Sequence, residues 1–398
     1  MKLSRDIIVY DHDNDCHKIY NKFTHKMSIV HKAIFEYLQA EEIRAFPTIH
    51  DDLLQSQIDI LLENDVLIND DDEYLAREFK NKHVANINST DFNIKRAYLH
   101  LTMDCNLDCK YCYMRDNTNN GNHALPAEKW LNILRKLKDV GVEEVMFTGG
   151  EPTLHRELEI ILKFANELGF HINLLTNGTN LDSVKDMLQY VQKCIVSIDG
   201  KTTSEQRGIN QQNLLKNVIK ISKKYPDKIS VRSVVVNGLE EEVLNLTEEL
   251  EKLGIRHIRA LCLPHSLDEL NRIPDYRKYS LVDDTISTAA CDAGVTIIAI
   301  DEKGNIYPCQ TLIKPEFLIT NIFEDNWYEE FTKNRLNAEI NKFNPYESAT
   351  CTSCVALHFC SGGCGSVVYS VYKNFNKRPK FLCDYYVQCV EKKIMEVS

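Results

Sequence analysis

The chain has 398 residues, 43% of them hydrophobic and 26% charged, and a formal net charge of −11. This composition is that of a globular protein with room for two or three domains. The acidic balance argues against a general binder of nucleic acid or anionic membranes, because both need basic surface.

The fourteen cysteines are the most informative residue type. A disulfide framework would suit a small secreted protein, but the N-terminus has no apolar signal core and no apolar run could span a membrane. The cysteines also cluster at spacings typical of metal ligands. We therefore predict a cytoplasmic protein with no membrane partner, whose cysteines bind metal in a reducing compartment.

Residues 1–93 are predicted to form a small domain and a linker. Residue patterns indicate strands and helices in the order strand, strand, helix, helix, strand, at 6–10, 17–20, 29–38, 53–62 and 66–68. Helices followed by such a strand suggest a winged-helix-like unit, for which DNA binding is the default function. No lysine or arginine lies between Arg44 and Arg77, so we predict no nucleic-acid partner.

The polar segment 69–94 is interpreted as a linker, and a periodic pattern begins after it. Helix-length amphipathic stretches there alternate with strand-like runs at 97–102, 144–148, 172–176, 194–198, 229–236 and 257–263. Such alternation predicts βαβ units and a parallel sheet. The α/β fold class expected for residues 94–280 is a partial (β/α)6 barrel, with its active site at the C-terminal strand ends.

Three cysteines follow the first of these strands at Cys-x3-Cys-x2-Cys spacing, namely Cys105, Cys109 and Cys112. Three thiolates leave one iron of a four-iron cube open, and an open position distinguishes a reactive metal site from a structural one. A zinc knuckle would need a fourth ligand nearby, and His100 and His123 fit no standard zinc pattern. The spacing, with Tyr111 before the third cysteine, resembles the signature of the radical S-adenosylmethionine (SAM) enzymes.

The segment Met146–Pro152, MFTGGEP, ends the second strand. Gly149 and Gly150 would let the backbone approach a ligand closely, and Glu151 adds a carboxylate suited to an α-amino group. A Gly-Gly pair alone is usually a turn. After the cysteine loop, however, the segment resembles the glycine-rich motif of the radical SAM family, which holds the methionine amino group of SAM.

The same resemblance implies further contacts to SAM at later strand ends, from Thr176, Asn177, Ser197 and Asp199 to the ribose and from Arg232 to the methionine carboxylate. Tyr111 is also expected to bind the cofactor. Asp199 followed by Gly200 is equally typical of a turn. At the sixth strand end, His257, Arg259 and His265 are candidates for facing substrate, although a surface or buried structural role is more common for such residues.

Residues 281–398 hold a second constellation of seven cysteines, Cys291, Cys309, Cys351, Cys354, Cys360, Cys364 and Cys383. Seven thiols exceed one tetrahedral zinc site, so more than one metal centre is expected. The arrangement resembles the SPASM domain that follows the barrel in many radical SAM enzymes and carries two auxiliary [4Fe-4S] clusters. That resemblance assigns Cys351, Cys354, Cys360 and Cys383 to one cluster, and Cys291, Cys309 and Cys364 to the other.

Seven ligands for two cubes leave one iron without a protein ligand. Some relatives fill this position with a cysteine where Ile297 stands here. Either Cys262, at the end of the sixth strand, supplies the ligand, or the iron is open to a substrate thiolate. Cys16, Cys194 and Cys389 are most simply small buried hydrophobic residues.

Residues 1–93 resemble the winged-helix precursor-recognition domain of enzymes that modify ribosomally made peptides. Such a domain would bind the leader of a precursor peptide as an added strand near Ile7–Tyr10 or His17–Tyr20. The alternative is a domain that merely packs on the barrel, because one winged fold serves many functions.

These resemblances imply a radical SAM peptide maturase with SAM, three [4Fe-4S] clusters and a flavodoxin- or ferredoxin-type electron donor. A 5′-deoxyadenosyl radical would abstract hydrogen from the precursor peptide, and a cysteine thioether cross-link is the product we favour. Carbon–carbon cross-linking, epimerisation and formylglycine formation, as in anaerobic sulfatase maturases, are the enzymatic alternatives. An iron-sulfur redox sensor that binds DNA is the non-enzymatic one.

Overall fold

The computed structural model describes residues 2–4, 6–22, 24, 26–40, 52–68, 93–114, 124–200, 203–204, 206–275 and 291–396. Almost all of the predicted linker at 69–94 lies outside the described residues, as does His123. Within these ranges, no helix combines the length and the apolar character needed to cross a membrane.

The N-terminal region combines two small sheets with two helices. Its elements are β1 (Lys2–Leu3), β2 (Ile7–Asp11), β3 (Cys16–Asn21), β4 (Met27–His31), α1 (Lys32–Ala40), α2 (Asp52–Glu63) and β5 (Leu67–Ile68). β2, β3 and β4 form an antiparallel sheet, and β1 pairs with β5. The prediction of one helix over 29–38 was wrong for Ile29 and Val30. Both lie in β4, where Val30 is buried against α1 and α2 and Ile29 points to solvent, as strand alternation requires.

The order of this sheet decides where a further strand could pair. β3 lies in the middle and is hydrogen-bonded to β2 on one side and β4 on the other. Strand addition at His17–Tyr20 was therefore a wrong prediction, because the backbone groups of β3 are already paired. The outer edges of β2 and β4 remain.

Six parallel strands form the main sheet, as predicted. They are β6 (Arg96–His100), β7 (Glu144–Thr148), β8 (His171–Thr176), β9 (Lys193–Ser197), β12 (Ile229–Val235) and β13 (Arg256–Leu261), with a small hairpin, β10 (Thr203–Ser204) and β11 (Ile209–Asn210), between β9 and β12. The six strands lie side by side in chain order and are parallel, as in successive βαβ units. Their C-terminal ends consequently share one edge of the sheet.

Helices cover the outer face of this sheet. They are α3 (Ala127–Asp139), α4 (Leu158–Glu167), α5 (Leu181–Val184), α6 (Gln211–Lys224) and α7 (Glu240–Lys252). In α3, Trp130, Ile133, Leu134 and Leu137 follow the i, i+3, i+4, i+7 spacing of one helix face and are fully buried. Burial of each such side chain contributes about 2 kcal/mol, so this face holds the helix on the sheet.

Alternation along the strands leaves a second, polar face inside the barrel. In β6, Leu99 packs with the helices, whereas Tyr98 and His100 lie on the opposite face. On that inner face the Arg96 guanidinium contacts the Glu144 carboxylate at 2.5 Å, and Asn173 donates to the same carboxylate at 2.6 Å.

The C-terminal region extends the barrel sheet and then becomes helical. It contains β14 (Ile297–Ile300), β15 (Asn305–Tyr307), β16 (Thr320–Asn321), α8 (Trp327–Arg335), α9 (Ala349–Thr352), α10 (Leu357–Cys360), α11 (Gly365–Tyr372) and α12 (Lys380–Glu396). β14 pairs with β6 in parallel. β15 and β16 then add to the sheet as antiparallel strands, which brings its total to nine strands. Ile297 begins β14, opposite Arg96.

The N-terminal sheet rests on these C-terminal helices. Tyr20 of β3 packs with Phe359 of α10 and with Val390 and Ile394 of α12. The Lys18 ammonium, which is 2% exposed, donates to the Ile394 carbonyl at 2.9 Å. A cation so deeply buried needs such a partner, so the contact is specific rather than a loose surface apposition.

Candidate active site

The cysteine loop after β6 and the glycine-rich loop after β7 are hydrogen-bonded to each other. The Gly150 amide donates to the Thr102 carbonyl and the Glu151 amide to the Asp104 carbonyl, both at 2.8 Å. A Cβ at Gly149 would lie 2.2 Å from the Thr102 oxygen, and one at Gly150 would lie 2.3 Å from the Asp104 oxygen. The two glycines are thus required for the contact between the loops, a role in addition to the ligand approach that we predicted.

The thiols of Cys105, Cys109 and Cys112 face one cavity at the C-terminal edge of the sheet. Burial, together with negative charge on Cys112 and Cys105, raises the pKa of Cys109 to about 11, against the opposing charge of Arg207. Three thiols held this close therefore resist ionisation by themselves. Binding to a metal cluster removes the cost of ionising these thiols, because the positive charge of the metal compensates the negative charge of each bound thiolate. The three cysteines therefore fit an iron-sulfur cluster.

Glu151 is 1% exposed and belongs to the cavity wall. Its Oε1 accepts from the Thr153 amide and hydroxyl and from the Thr176 hydroxyl, at 3.1, 2.6 and 2.7 Å. Its Oε2 accepts from the Asn177 amide at 2.7 Å. The carboxylate is fixed by the ends of β7 and β8, and Oε2 has a lone pair left for one more donor.

Asn177 connects the end of β8 to the cysteine loop. Its Nδ2 donates to Asn106 Oδ1 at 2.8 Å, and its Oδ1 accepts from the amide and hydroxyl of Thr179. Thr176, Asn177, Ser197 and Arg232 all line the cavity, as do Tyr111 and the Gly-Gly-Glu segment. Of the nine predicted SAM contacts, only Asp199 is missing from this wall.

The Asp199 carboxylate is directed toward protein groups. It is 1% exposed, accepts from the Tyr111 hydroxyl and from the Val234 amide, and lies 3.9 Å from Arg207. Arg207 also donates to the Tyr111 hydroxyl at 3.2 Å. The structure therefore places Asp199 behind Tyr111, where it orients the cysteine loop.

Arg207 is the residue that sequence reasoning missed. Its side chain is 4% exposed, lines the cavity and lowers the pKa of Cys109 through its positive charge. It follows the β10 strand in an irregular segment, TTSEQRGIN, where no apolar periodicity or ligand spacing draws attention to it. Its significance depends on contacts with residues about a hundred positions earlier.

The C-terminal cysteines gather in the two predicted sets. Negative charges on Cys383, Cys351 and Cys354 reach Cys360, and burial with these charges raises its pKa to about 12. Cys291, Cys309 and Cys364 form the second set, in which burial and the negative charge of Cys364 raise the pKa of Cys309 to about 11. In both sets, burial and neighbouring negative charge disfavour free thiolates, as they do for Cys109. A bound metal cluster would compensate these charges, so both sets fit metal clusters.

The second set adjoins the barrel cavity. Cys364 lines that cavity, together with Gln310 and Thr311 from the loop that carries Cys309. Tyr113, next to Cys112, lies with its hydroxyl 3.5 Å from the Gln310 side-chain oxygen. The cysteine loop after β6 and the loop that carries Cys309 are therefore in contact.

Other predicted candidates separate into two groups. Arg259, His265 and Cys262 line the cavity. His257 does not; its ring nitrogens contact the hydroxyls of Ser233 and Thr247 at 2.7 and 2.9 Å, so its role is structural.

Among the described residues, no three His, Cys, Asp or Glu side chains are arranged as ligands of one metal ion.

A partial parallel barrel whose strand edge carries a Cys-x3-Cys-x2-Cys loop docked on a Gly-Gly-Glu loop defines a radical SAM domain. Residues 99–273 match the family model of the Radical SAM superfamily, so the chain contains a radical SAM domain. Members of that superfamily use SAM and a [4Fe-4S] cluster.

Curated proteins are similar to parts of this chain. The S-adenosylmethionine-dependent nucleotide dehydratase of Selenomonas ruminantium is 39% identical over 85 residues, which cover 21% of this chain and 30% of that protein. The chain spans about a third to a half of the length of the leading curated relatives, 30% and 47% in two of them.

Two solved structures share the fold over most of their length. Streptococcus suis SuiB bound to S-adenosylmethionine has a TM-score of 0.60 at 20% identity, covering 96% of this chain and 100% of SuiB. SuiB has also been solved bound to its precursor peptide SuiA. The enzyme anSMEcpe, bound to AdoMet and the Kp18Cys peptide, has a TM-score of 0.56 at 16% identity, covering 76% of this chain and 99% of anSMEcpe.

Proposed function

We propose that this protein is a radical SAM maturase that cross-links a ribosomally made precursor peptide. The observation that carries the proposal is a cavity of about 480 Å³ with two kinds of wall. One wall is the radical SAM site, and the other contains Cys364 and tyrosines of the C-terminal helices. This volume lies in the range of sites that enclose small molecules, so it suits SAM with a substrate side chain beside it.

Within this site, Cys105, Cys109 and Cys112 would hold the first [4Fe-4S] cluster. When bound there, the cluster and SAM supply a radical that takes a hydrogen atom from an unactivated carbon. Glu151 would accept a hydrogen bond from the SAM amino group through its remaining Oε2 lone pair. Arg232 would bind the methionine carboxylate, and Thr176, Asn177 and Ser197 would contact the ribose. Tyr111 would pack beside the cofactor, held by Asp199 and Arg207.

We further propose that residues 281–398 form a SPASM-like domain with two auxiliary clusters. Convergence of Cys351, Cys354, Cys360 and Cys383 supports a fully ligated cluster. Convergence of Cys291, Cys309 and Cys364 supports a second one with three protein ligands. Such clusters could accept the electron that remains after an oxidative bond forms.

The fourth ligand of the second cluster affects which kind of cross-link the enzyme would form in the peptide. Cys262 interacts with charges on Arg272, Glu269 and Asp199, whereas Cys291 interacts with Cys309 and Cys364. This difference favours an iron left open toward the cavity for a substrate thiolate, and hence a thioether product. If so, a Cys262→Ala variant keeps all its iron; loss of one cluster would assign the ligand to Cys262.

Residues 1–93 would bind the leader of the precursor peptide. Residues 94–280 would form the barrel domain that carries out the reaction. Among the described residues, no further strand pairs with the outer edges of β2 and β4, although the Met27 carbonyl of β4 accepts from the Asn64 side chain. Val9 and Ile29 are exposed apolar side chains of these two strands. A peptide partner is supported by the peptide complexes of SuiB and anSMEcpe, which share this fold. A flavodoxin- or ferredoxin-type protein in a reducing cytoplasm would supply the first electron.

The test is the mass of a candidate precursor peptide after anaerobic incubation with reconstituted protein, SAM and reductant. Loss of two hydrogens, together with a cysteine that no longer alkylates, is the expected result for a thioether. Loss of two hydrogens with a reactive cysteine would indicate a carbon–carbon bond. A Cys112→Ala variant is the control and should leave the peptide unchanged.

An unchanged mass with deoxyadenosine release would contradict cross-linking. Deuterium incorporation in deuterated water would then identify epimerisation, and a sulfatase-type peptide would test for formylglycine formation.

A further inference from the structure

One arginine of the C-terminal region is immobilised beside a proposed cluster ligand. The Nη1 of Arg378 donates to the carbonyls of Phe375 and Lys377 at 2.5 and 2.9 Å, and its Nη2 donates to the Asn344 carbonyl at 3.1 Å. The guanidinium also lies over the Phe343 ring, 5.1 Å from its centroid. Four contacts fix the plane and direction of this cation.

The Nε donor of the same guanidinium points at sulfur. Arg378 Nε donates to the Cys351 Sγ at 3.2 Å. Cys351 is 7% exposed, and the positive charge of Arg378 also acts on Cys383. Two of the four thiols in this set are therefore near one fixed cation.

The other auxiliary set has a different environment. The Cys309 sulfur there lies 3.2 Å from the Thr311 hydroxyl, a neutral group. Hydrogen bonds to cluster sulfurs and nearby charge are among the features that set iron-sulfur reduction potentials. One-electron reduction makes a cluster more negative without changing its bonds to the protein. A cation near the thiolates stabilises the reduced form more than the oxidised form.

We propose that Arg378 raises the reduction potential of the cluster held by Cys351, Cys354, Cys360 and Cys383 above that of the cluster held by Cys291, Cys309 and Cys364. This makes the Arg378-adjacent cluster the final acceptor of the electron released in the reaction. The inference rests on the proposed function, because it needs both auxiliary clusters. Arg378 acts as a positioning residue through Cys351 and does not touch substrate.

The experiment is a redox titration of the reconstituted full chain, followed by electron paramagnetic resonance, in wild type and in Arg378→Gln and Arg378→Lys variants. We expect one auxiliary signal to move to lower potential in Arg378→Gln and to move less in Arg378→Lys, which keeps the charge. The other cluster signals should stay in place. Lys377→Gln, at the exposed neighbouring position, is the matched control and should match wild type.

Iron content separates the possible failures. If wild type binds iron for fewer than three clusters, the proposed function fails in its auxiliary sites. If wild type holds three clusters but neither Arg378 variant shifts a potential, the inference about Arg378 is overturned. Loss of one cluster in both variants would also overturn it, because Arg378 would then be only a structural support of the Cys351 loop.

Discussion

The Gly150 α-carbon faces the Asp104 carbonyl so closely that a Cβ there would lie 2.3 Å from the oxygen. This contact joins the glycine-rich loop to the backbone just before Cys105. The distance between the two loops is set by main-chain atoms, which cannot move aside as a flexible side chain can.

Replacing Gly150 with alanine should therefore push the two loops apart. We expect a loss of about 3 kcal/mol in folding free energy, as for a severe overpacking change, and incomplete retention of the barrel cluster. Iron per chain and thermal unfolding of the anaerobically reconstituted protein measure both effects. Gly169→Ala is the control, because Gly169 has a φ of +73° but no atom within 4 Å of its Cβ position. It should cost about 1 kcal/mol and leave the iron content intact.

Replacing Glu151 with glutamine should weaken SAM binding at least tenfold. A glutamine offers one acceptor oxygen, whereas both Glu151 oxygens now accept hydrogen bonds from Thr153, Thr176 and Asn177. The amide NH₂ would face one of these donors and leave it unpaired, at a cost of about 1–3 kcal/mol. Equilibrium binding of SAM to the reconstituted protein measures the loss.

Thr153→Val is the control for this variant, since it removes one donor to Glu151 and keeps the carboxylate. Its effect should stay near 1 kcal/mol. Equal SAM affinity in Glu151→Gln and wild type would mean that the carboxylate charge is not needed for cofactor binding.

Replacing Arg207 with methionine should destabilise the fold by about 3–5 kcal/mol, because it leaves the Asp199 carboxylate buried without its cation. Adding Asp199→Asn should recover a large part of this loss by removing the uncompensated charge. Denaturant unfolding of the four members of this double-mutant cycle measures the coupling. Additive effects of the two substitutions would show that the two side chains stabilise the protein independently.

His100 should make stability depend on pH. It is fully buried, neither ring nitrogen has a hydrogen-bond partner in the part of the chain that the structure describes, and burial lowers its pKa from 6.5 to about 3. Between these values the unfolded chain binds a proton that the folded chain does not. The contribution of His100 to the free energy of unfolding is complete above pH 6.5. It is lost at about 1.4 kcal/mol per pH unit as the pH falls toward 3.

Denaturant unfolding at pH 7.5 and 5.5 tests this prediction. His100→Leu should lose less stability than wild type over this interval, by about 1.4 kcal/mol. His171→Gln, at an exposed position of β8, should behave as wild type does. The same pH dependence in His100→Leu and wild type would assign the effect to other groups.

The sequence by itself determined the parallel strands, the loop of Cys105, Cys109 and Cys112 and the adjoining Gly-Gly-Glu segment. Each of these features can be recognised from residues that are close together in the chain, because apolar periodicity and ligand spacing are local patterns. The number and spacing of the seven C-terminal cysteines likewise predict a metal-binding set, because seven thiols exceed one tetrahedral site.

Tertiary structure alone decided which groups each polar side chain meets. It directed Asp199 toward Tyr111 and Arg207, made β3 a central strand closed to a further partner, and set Arg378 against Cys351. The physical reason is that a hydrogen bond or an ion pair depends on distances of a few ångströms between residues tens of positions apart in the chain. No local pattern encodes those distances, which arise only when the strands, helices and loops pack together.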